Sequence, residues 1–264
     1  MERDSVKIEM HSAYKHLHKY WGEGGIPFYN DKYVMGETKP GAMALLIEPR
    51  SLLPEIYDYM GSHYGKFKYV FTHDSILLNT LPNAKLIIWG GVWSWGDEKK
   101  DFSHPISMVA SEKGISPIRI ARRNLAFELK DNSYVDTYGT FDGGERADTD
   151  TIYGKYPFSI VIENHIDEFW ITEKICNCFS HKTVPIYYGA EGIDYFFNKR
   201  GILIARSIDD VKSYVNILSD YGWSKKMYEM RRAAIEENYW LVKNFENFDV
   251  WFMNHYYDLL REQS

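Results

Sequence analysis

Cysteine is scarce in this sequence, and its two cysteines stand close together. Cys176 and Cys178 are the cysteines among 264 residues. Both fall inside a predicted helix, where side chains two positions apart point in different directions, so a disulfide between them is disfavoured. Two thiols without further ligands also do not make a zinc site. The sequence therefore predicts buried thiols in a reducing compartment.

An excess of positive charge and long apolar runs are absent as well. The formal net charge is −6, whereas a nucleic-acid-binding surface needs a concentrated basic face. No run reaches the roughly 20 apolar residues of a membrane span. The start, from Met1 to Asp4, lacks the basic and then apolar pattern of a secretory signal. We expect a cytoplasmic protein with no membrane span and no nucleic-acid partner. A small anionic ligand is compatible with this charge, because it needs only two or three well-placed cations.

Several nucleotide-binding and hydrolase signatures are also missing. The sequence has no Gly-x-x-x-x-Gly-Lys-Ser/Thr loop and no Gly-x-Gly-x-x-Gly after a strand, which disfavours NTPases, dehydrogenases and epimerases. It has no Gly-x-Ser-x-Gly elbow and no His-Glu-x-x-His helix, which disfavours α/β-hydrolases and zinc proteases. An Asp-x-Asp does occur, from Asp148 to Asp150, but in a predicted loop. The sequence therefore predicts no metal site.

Short apolar runs that alternate with helical spacing are what the sequence does contain. Its apolar fraction of 45% and charged fraction of 26% are ordinary for a globular protein. The predicted strands are Ala42–Ile47, Lys68–Phe71, Lys85–Trp89, Ile106–Ala110, Tyr134–Tyr138, Phe158–Ile162 and Val184–Gly189. Helical spacing follows two of them, over Leu53–His63 and Pro117–Leu129. This alternation predicts an α/β protein.

A charged stretch at residues 96–101 suits a linker and divides the chain into two predicted domains. Residues 1–100 form the first α/β domain and residues 101–264 the second. The tail between Lys225 and Leu260 is predicted to form two helices that pack back on the first domain. The segment from Thr140 to Asp150, rich in Asp and Glu, is predicted to be a solvent-exposed loop.

The segment from Phe158 to Ile204 has the spacing of a strand, a helix and a second strand. Open parallel sheets bind ligands at the carboxyl ends of such strands. Glu173 and Lys174 open the helix, where backbone N–H groups and the helix dipole favour an anion. The Lys adds a mobile charge, and the carboxylate can accept both hydroxyls of a ribose. The alternative is a capping Thr172 followed by ordinary first-turn charges, and spacing alone does not choose between the two.

Two further polar residues follow predicted strand ends. Arg119 begins a helix soon after the strand end at Ser111, a placement that suits a bidentate grip on phosphate. An ordinary surface Arg fits the same pattern. Asn164 ends a buried strand and can either bind a ligand or hold the turn.

A candidate general base stands in the first half of the chain. Glu48 follows the strand Ala42–Ile47 and precedes a Pro, and catalytic carboxylates favour such strand ends. A structural carboxylate fits there too. His73 and Asp74 occupy the equivalent place on the next strand and are the competing candidates.

Together these residues resemble the signature of the α1,3/α1,4-fucosyltransferases, glycosyltransferase family 10. Four motifs stand in the family's order over about residues 105–205. They are Ser107–Ser111 with Arg119, Val135–Gly139, Ile162–Asn164 with Trp170–Lys174 and Thr183–Gly189, and Phe197–Asn198 before Gly201–Ile202.

The resemblance implies a GT-B fold of two Rossmann-like α/β domains, the amino-terminal one reduced. It also implies a nucleotide-sugar donor held mainly by the carboxyl-terminal domain. Carried over by position, Arg119 and Lys174 would neutralise the diphosphate. Glu173 would accept hydrogen bonds from the donor's hydroxyls, and Asn164 would line the pocket. Glu48 resembles the family's amino-terminal catalytic Glu.

Two departures from the family pattern bear on the choice of donor. Ser111 begins the family's Ser-Asn turn, but Glu112 stands where the family has Asn. Trp170 replaces a Tyr, which keeps a stacking face and loses a phenolic hydroxyl. GDP-fucose is the default donor, and a GDP-sugar is favoured over a UDP-sugar.

The sequence thus predicts an inverting glycosyltransferase without a metal cofactor, which acts on a glycan or other hydroxyl acceptor. The alternative is a catalytically degenerate sugar-nucleotide or glycan binding protein. Glu112, Trp170 and the short amino-terminal half favour that alternative.

Overall fold

A computed structural model describes residues 6–12 and 17–263. By internal packing the chain divides into two compact units. The first unit comprises the residues up to Trp89 together with those from Asn247 onward, and the second unit comprises Gly90–Glu246. The division predicted from sequence falls between residues 100 and 101, so residues 90–100 pack with the second unit.

The first unit contains a parallel sheet whose strands lie side by side in chain order. The strands are β1 (Ile8–His11), β2 (Ile26–Asn30), β3 (Met43–Leu46), β4 (Tyr69–Thr72) and β5 (Ala84–Leu86). Two helices connect the later strands, α1 (Pro54–His63) and α2 (Ser75–Thr80). The sequence predicted β3, β4 and β5 but not β1 and β2. Most of β1 is half-buried and it has no continuous apolar run, which explains the omission.

The two faces of this sheet are covered by different parts of the chain. Val70 packs with residues of α1 and α2, since right-handed crossovers that all run in one direction leave their helices on one face. The next residue, Phe71, points to the other face and meets Phe252 with 4.9 Å between ring centroids. Phe252 belongs to helix α9 (Phe248–Arg261). Phe252 is fully buried, and burial of its whole side chain contributes about 1.5–3 kcal/mol of hydrophobic stabilisation.

The second unit contains another parallel sheet, but its strand order reverses. Its strands are β6 (Ile106–Val109), β7 (Val135–Tyr138), β8 (Phe158–Ile162), β9 (Val184–Tyr188) and β10 (Leu203–Ile204). They lie in the order β10-β9-β8-β6-β7. From β6 the chain first adds β7 on one side and then β8 on the other. The junction of β6 and β8 is therefore a topological switch point, where open α/β sheets form their ligand crevice.

Helices surround this second sheet and explain its apolar strands. They are α3 (Pro117–Leu129), α4 (Thr149–Tyr153), α5 (Glu173–Ser180), α6 (Ile208–Leu218), α7 (Tyr221–Glu229) and α8 (Arg232–Leu241). All five residues of the central strand β8 are buried, as expected of a strand covered on both faces. The predicted α/β class is confirmed.

The prediction of two helices in the tail is wrong. The structure has three helices there, with α7 and α8 in the second unit and α9 in the first. Asp220 caps α7 by accepting from the backbone N–H of Trp223 at 2.9 Å, and a break at Met230 and Arg231 separates α7 from α8. Within residues 6–12 and 17–263, no helix is long and apolar enough to cross a membrane.

Candidate active site

A cavity of about 600 Å³ lies at the switch point of the second unit. The carboxyl ends of β6 and β8 and the first turns of α3 and α5 line it. It brings together five of the six predicted donor-binding residues, namely Ser111, Arg119, Asn164, Glu173 and Lys174. Trp170 is buried and does not line this cavity, so its part in donor binding stays a prediction.

The charge of the cavity is opposite in sign to that of the whole chain. Five cationic side chains line it, namely Lys113, Arg119, Arg122, Arg146 and Lys174. Two carboxylates, Glu112 and Glu173, accompany them. A chain of net charge −6 thus concentrates positive charge at its switch point, which favours an anionic ligand there.

A glycine shapes the wall beside β6. Gly139, directly after β7, has φ +100°, and a Cβ atom at this position would lie 2.3 Å from the carbonyl oxygen of Ala110. Only glycine allows this close approach. It brings Thr140 to the cavity wall, where its hydroxyl accepts from the backbone N–H of Glu112 at 3.4 Å.

Two arginines on α3 have different surroundings. Arg119, in the first turn, is half-buried and forms no ion pair with any residue that the structure describes. Arg122, one turn later, is buried and donates from Nη1 to the carbonyl oxygen of Ile162 at 2.6 Å. Burial lowers the pKa of Arg122, and the nearby Glu163 opposes that effect. Arg122 therefore joins α3 to the end of β8, and Arg119 remains available to an anion.

Lys174 sits in a compact polar cluster at the start of α5. Its Nζ lies 3.0 Å from Oε1 of Glu173, 3.0 Å from Oγ1 of Thr172 and 3.4 Å from Oε2 of Glu163. Glu163 is fully buried and also accepts from the Thr172 hydroxyl at 2.8 Å. The structure thus places Glu163 beneath Lys174 as its buried partner.

The charges of this cluster follow from burial and pairing. Burial raises the pKa of Glu163, and Lys174 works against that rise. Burial acts in the same direction on Glu173, but the ion pair with Lys174 outweighs it and leaves the Glu173 pKa lowered. Burial would lower the pKa of Lys174, yet Glu173 and Glu163 raise it. Lys174 and Glu173 are therefore both charged at neutral pH.

Asn164 presents an unused acceptor to the cavity. Its backbone carbonyl accepts from the Ser116 hydroxyl at 3.5 Å. Its side-chain Oδ1 is buried and has no hydrogen-bond partner among the described residues. An unsatisfied buried acceptor costs about 1–3 kcal/mol, so a ligand that donates to Oδ1 would recover that energy.

Sequence reasoning missed other residues of the cavity wall, among them Trp93 and Arg146. Trp93 has 72% of its surface exposed, and its backbone N–H donates to Oδ1 of Asn177 on α5 at 2.9 Å. Arg146 belongs to the acidic segment that was predicted to be a solvated loop, although part of that segment lines the cavity. A single Arg among Asp and Glu residues was the available signal for Arg146. No sequence signal pointed to Trp93.

In the first unit, the three candidate bases differ in exposure and in bonding. Glu48 is half-buried and follows β3. Asp74 is buried, accepts two hydrogen bonds from Arg50 at 2.8 and 2.9 Å, and caps α2 through the N–H of Leu77. His73 is also buried, with Nε2 3.4 Å from the Tyr57 hydroxyl. Of the three, Glu48 is the most accessible.

Two parallel-sheet α/β units, one with a cationic crevice at its switch point, are typical of GT-B glycosyltransferases. The family model described as "Glycosyltransferase family 10 (fucosyltransferase) C-term" matches residues 100–240, more than half of the chain. The chain therefore belongs to glycosyltransferase family 10, and it is a glycosyltransferase. No curated protein sequence matches it significantly.

Solved structures of glycosyltransferases share the fold over nearly the whole chain. A crystal structure of an α1,3-fucosyltransferase with GDP is 14% identical, covers 99% of this chain and 92% of its own, and gives a TM-score of 0.60. A second α1,3-fucosyltransferase structure, 13% identical, covers 93% and 92% with a TM-score of 0.54. The pneumococcal O-GlcNAc transferase GtfA, in complex with UDP and GlcNAc, is 13% identical and covers 89% and 56% with a TM-score of 0.54. At these identities the similarity establishes the GT-B fold alone.

Proposed function

We propose that this protein is an inverting glycosyltransferase that moves a sugar, fucose by default, from a nucleoside-diphosphate sugar to a hydroxyl of a glycan or other acceptor. The observation that carries the proposal is the cationic cavity at the switch point of the second unit, with Arg119 unpaired inside it. A GDP-sugar is favoured over a UDP-sugar. The similar α1,3-fucosyltransferase structure contains GDP, which supports the preference for a GDP-sugar.

The donor diphosphate would lie between α3 and α5. Arg119 can bind two phosphate oxygens with its planar guanidinium, and the N-terminus of α5 adds backbone N–H groups and a favourable dipole. Lys174 would exchange part of its contact with Glu173 for a phosphate oxygen. The Glu173 carboxylate, kept ionised by its lowered pKa, would then accept hydrogen bonds from donor hydroxyls.

The neutral groups of the cavity would orient the rest of the donor. The unsatisfied Oδ1 of Asn164 is an acceptor for a hydroxyl or an amine. Ser111 supplies a hydroxyl at the end of β6. We propose that Trp170, which lies between Asn164 and the start of α5 in the chain, also contributes to the donor site.

Glu48 is proposed as the general base of the transfer. Its carboxylate would take the proton of the acceptor hydroxyl as that oxygen bonds to the anomeric carbon. The bond from the anomeric carbon to the diphosphate oxygen breaks, and its electron pair leaves with the diphosphate. Arg119, Lys174 and the α5 N-terminus would stabilise the charge that develops there. Because the cavity supplies these cations, we propose that the reaction needs no metal ion.

One observation favours the alternative of a binding protein without catalysis. Lys174 is already paired with Glu173 and Glu163, which reduces the positive charge that it offers to a phosphate. A purified chain that binds a nucleotide sugar but neither transfers nor hydrolyses it would support this alternative.

A thermal-shift screen with GDP, UDP and their sugars tests the donor proposal, because a ligand that binds the native state raises its apparent stability. The expected result is stabilisation by GDP and GDP-fucose that exceeds stabilisation by UDP compounds. Release of GDP from GDP-fucose, with water as acceptor, then tests catalysis. Glu48→Gln should abolish this release and leave the GDP-induced thermal shift unchanged. An active Glu48→Gln variant would move the base to His73 or Asp74.

A further inference from the structure

The backbone around Glu48 is held on both sides by side chains of the first unit. Oδ1 of Asp31 accepts from the N–H of Ile47 at 2.8 Å and from the N–H of Glu48 at 3.2 Å. On the other side, the Tyr57 hydroxyl donates to the carbonyl oxygen of Glu48. The peptide groups before and after Glu48 are therefore both fixed, although Glu48 itself stands beyond the end of β3.

Asp31 reaches this position through an unusual local structure. It follows β2 directly and has φ +44°, in the left-handed region that non-glycine residues rarely occupy. Its neighbour Asn30 donates from Nδ2 to the carbonyl oxygen of Leu45 at 2.9 Å, which ties the end of β2 to β3. Such backbone strain persists where the surroundings enforce it, and it clusters at functional sites.

The carboxyl of Asp31 is buried, and only one of its two oxygens accepts hydrogen bonds from the described residues. Its residue surface is 5% exposed, and Oδ2 has no hydrogen-bond partner within the described part of the chain. Burial, reinforced by the charge of Glu48, raises the pKa of Asp31 to about 7. The titratable group that acts on this carboxyl is Glu48, whose backbone N–H it also accepts from. A capping role alone would be served by an Asn, which accepts the same two N–H groups and need not be protonated.

We propose that Asp31 is the positioning residue of Glu48, and that it fixes the direction in which the Glu48 carboxylate leaves the sheet edge. This inference rests on the proposed role of Glu48 as general base. Asp31 does not touch the acceptor in this scheme. Because the two carboxyls interact, ionisation of Asp31 also raises the proton affinity of Glu48 and strengthens it as a base.

The test compares Asp31→Ala and Asp31→Asn with the wild type, with release of GDP from GDP-fucose as the readout. Asp31→Ala removes the acceptor of both N–H groups, and we expect kcat to fall by roughly 10- to 100-fold, because small misplacements of a catalytic group have effects of that order. The KM for GDP-fucose and the GDP-induced thermal shift should stay within about twofold of wild type. Asp31→Asn keeps the acceptor and should restore most of kcat at pH 6.

The pH profile separates positioning from a structural role. The kcat of the wild type should show an inflection near pH 7 that Asp31→Asn lacks, whereas simple destabilisation would lower kcat without moving the inflection. Asp58→Asn is the control for the same substitution at an exposed aspartate, because Asp58 lies on α1 and makes no hydrogen bond to the backbone of Ile47 or Glu48. If Asp31→Ala does not fold, the pH dependence of kcat in Asp31→Asn decides whether Asp31 acts on Glu48.

The outcomes distinguish this inference from the function on which it rests. An active Glu48→Gln variant overturns the assignment of the base and this inference with it. An inactive Glu48→Gln variant, together with Asp31 variants that match the wild type in kcat and pH profile, overturns this inference alone. An NMR titration of the Glu48 carboxyl carbon is independent of turnover. Loss of its inflection near pH 7 in Asp31→Asn supports the coupling, and an unchanged titration contradicts it.

Discussion

Replacing Asp31 with Asn changes the charge of a buried group and almost nothing of its shape. In the folded protein the pKa of Asp31 is raised from 3.8 to about 7, chiefly by burial. The folded state then binds a proton more tightly than the unfolded state does. The contribution of Asp31 to stability is therefore fully present below its unfolded pKa and is lost as pH rises towards 7.

The size of this loss follows from the same pKa. Each pH unit between the two pKa values removes about 1.4 kcal/mol from the free energy of unfolding. From pH 5 to pH 8 the wild type should lose about 3 kcal/mol relative to Asp31→Asn, which carries no titrating group there. The residue is 5% exposed, so solvent screening reduces this figure little.

Urea denaturation of both proteins at pH 5, 6, 7 and 8, followed by circular dichroism, measures this difference. The variant should gain on the wild type steadily up to about pH 7 and then hold its advantage. Titrating groups that do not interact with Asp31 contribute equally to both proteins and cancel in the difference. Two stability curves that stay parallel from pH 5 to 8 would show that Asp31 is ionised throughout, and the reasoning from its burial would be refuted.

Three further predictions concern the second unit. Arg119→Ala should weaken transition-state stabilisation by about 2–4 kcal/mol, measured as the rate of GDP release from GDP-fucose. The control Arg123→Ala changes an Arg of α3 that lies outside the cavity wall, and it should not lower this rate. Equal losses in the two variants would contradict the role of Arg119. Lys174→Ala should lower turnover on the same scale and also destabilise the fold by about 3–5 kcal/mol, because Glu163 stays buried without its cation. Adding Glu163→Gln to Lys174→Ala should then restore the urea midpoint but not turnover. If Lys174→Ala alone is as stable as the wild type, the buried pair of Lys174 and Glu163 does not stabilise the fold. EDTA should leave GDP release unchanged, and a loss that Mg²⁺ or Mn²⁺ reverses would reveal a metal requirement.

The sequence identified the β8–α5–β9 unit because its signals are local. A fully buried strand reads as an unbroken apolar run, and Thr172 caps the helix that follows. The strand β1 carries no such signal, since an edge strand is only partly buried. The same locality explains why Glu173 and Lys174 could be recognised as a pair at a helix start.

The properties that decide the chemistry could not be predicted from the sequence, because they depend on contacts between residues that are far apart in it. Glu163 becomes a counterion of Lys174 only when α5 packs beside the end of β8. Asp31 becomes a buried acid only when its carboxyl meets the N–H groups of Ile47 and Glu48. Trp93 lines the cavity through a hydrogen bond to Asn177, 84 positions later.

The covering of Phe28 and Phe71 by helix α9 has a consequence for how this protein is made. These two residues leave the ribosome early, whereas Phe252, which packs on both of them, is synthesised after the whole second unit. At a synthesis rate of about 5–20 residues per second, roughly ten to thirty seconds pass between the synthesis of Phe71 and that of helix α9, and during this time the apolar face of the first sheet is not covered by α9. The second unit, a continuous stretch of chain, can fold during that interval. The first unit is thus begun first and completed last, and its exposed face is where we expect chaperones to act during synthesis.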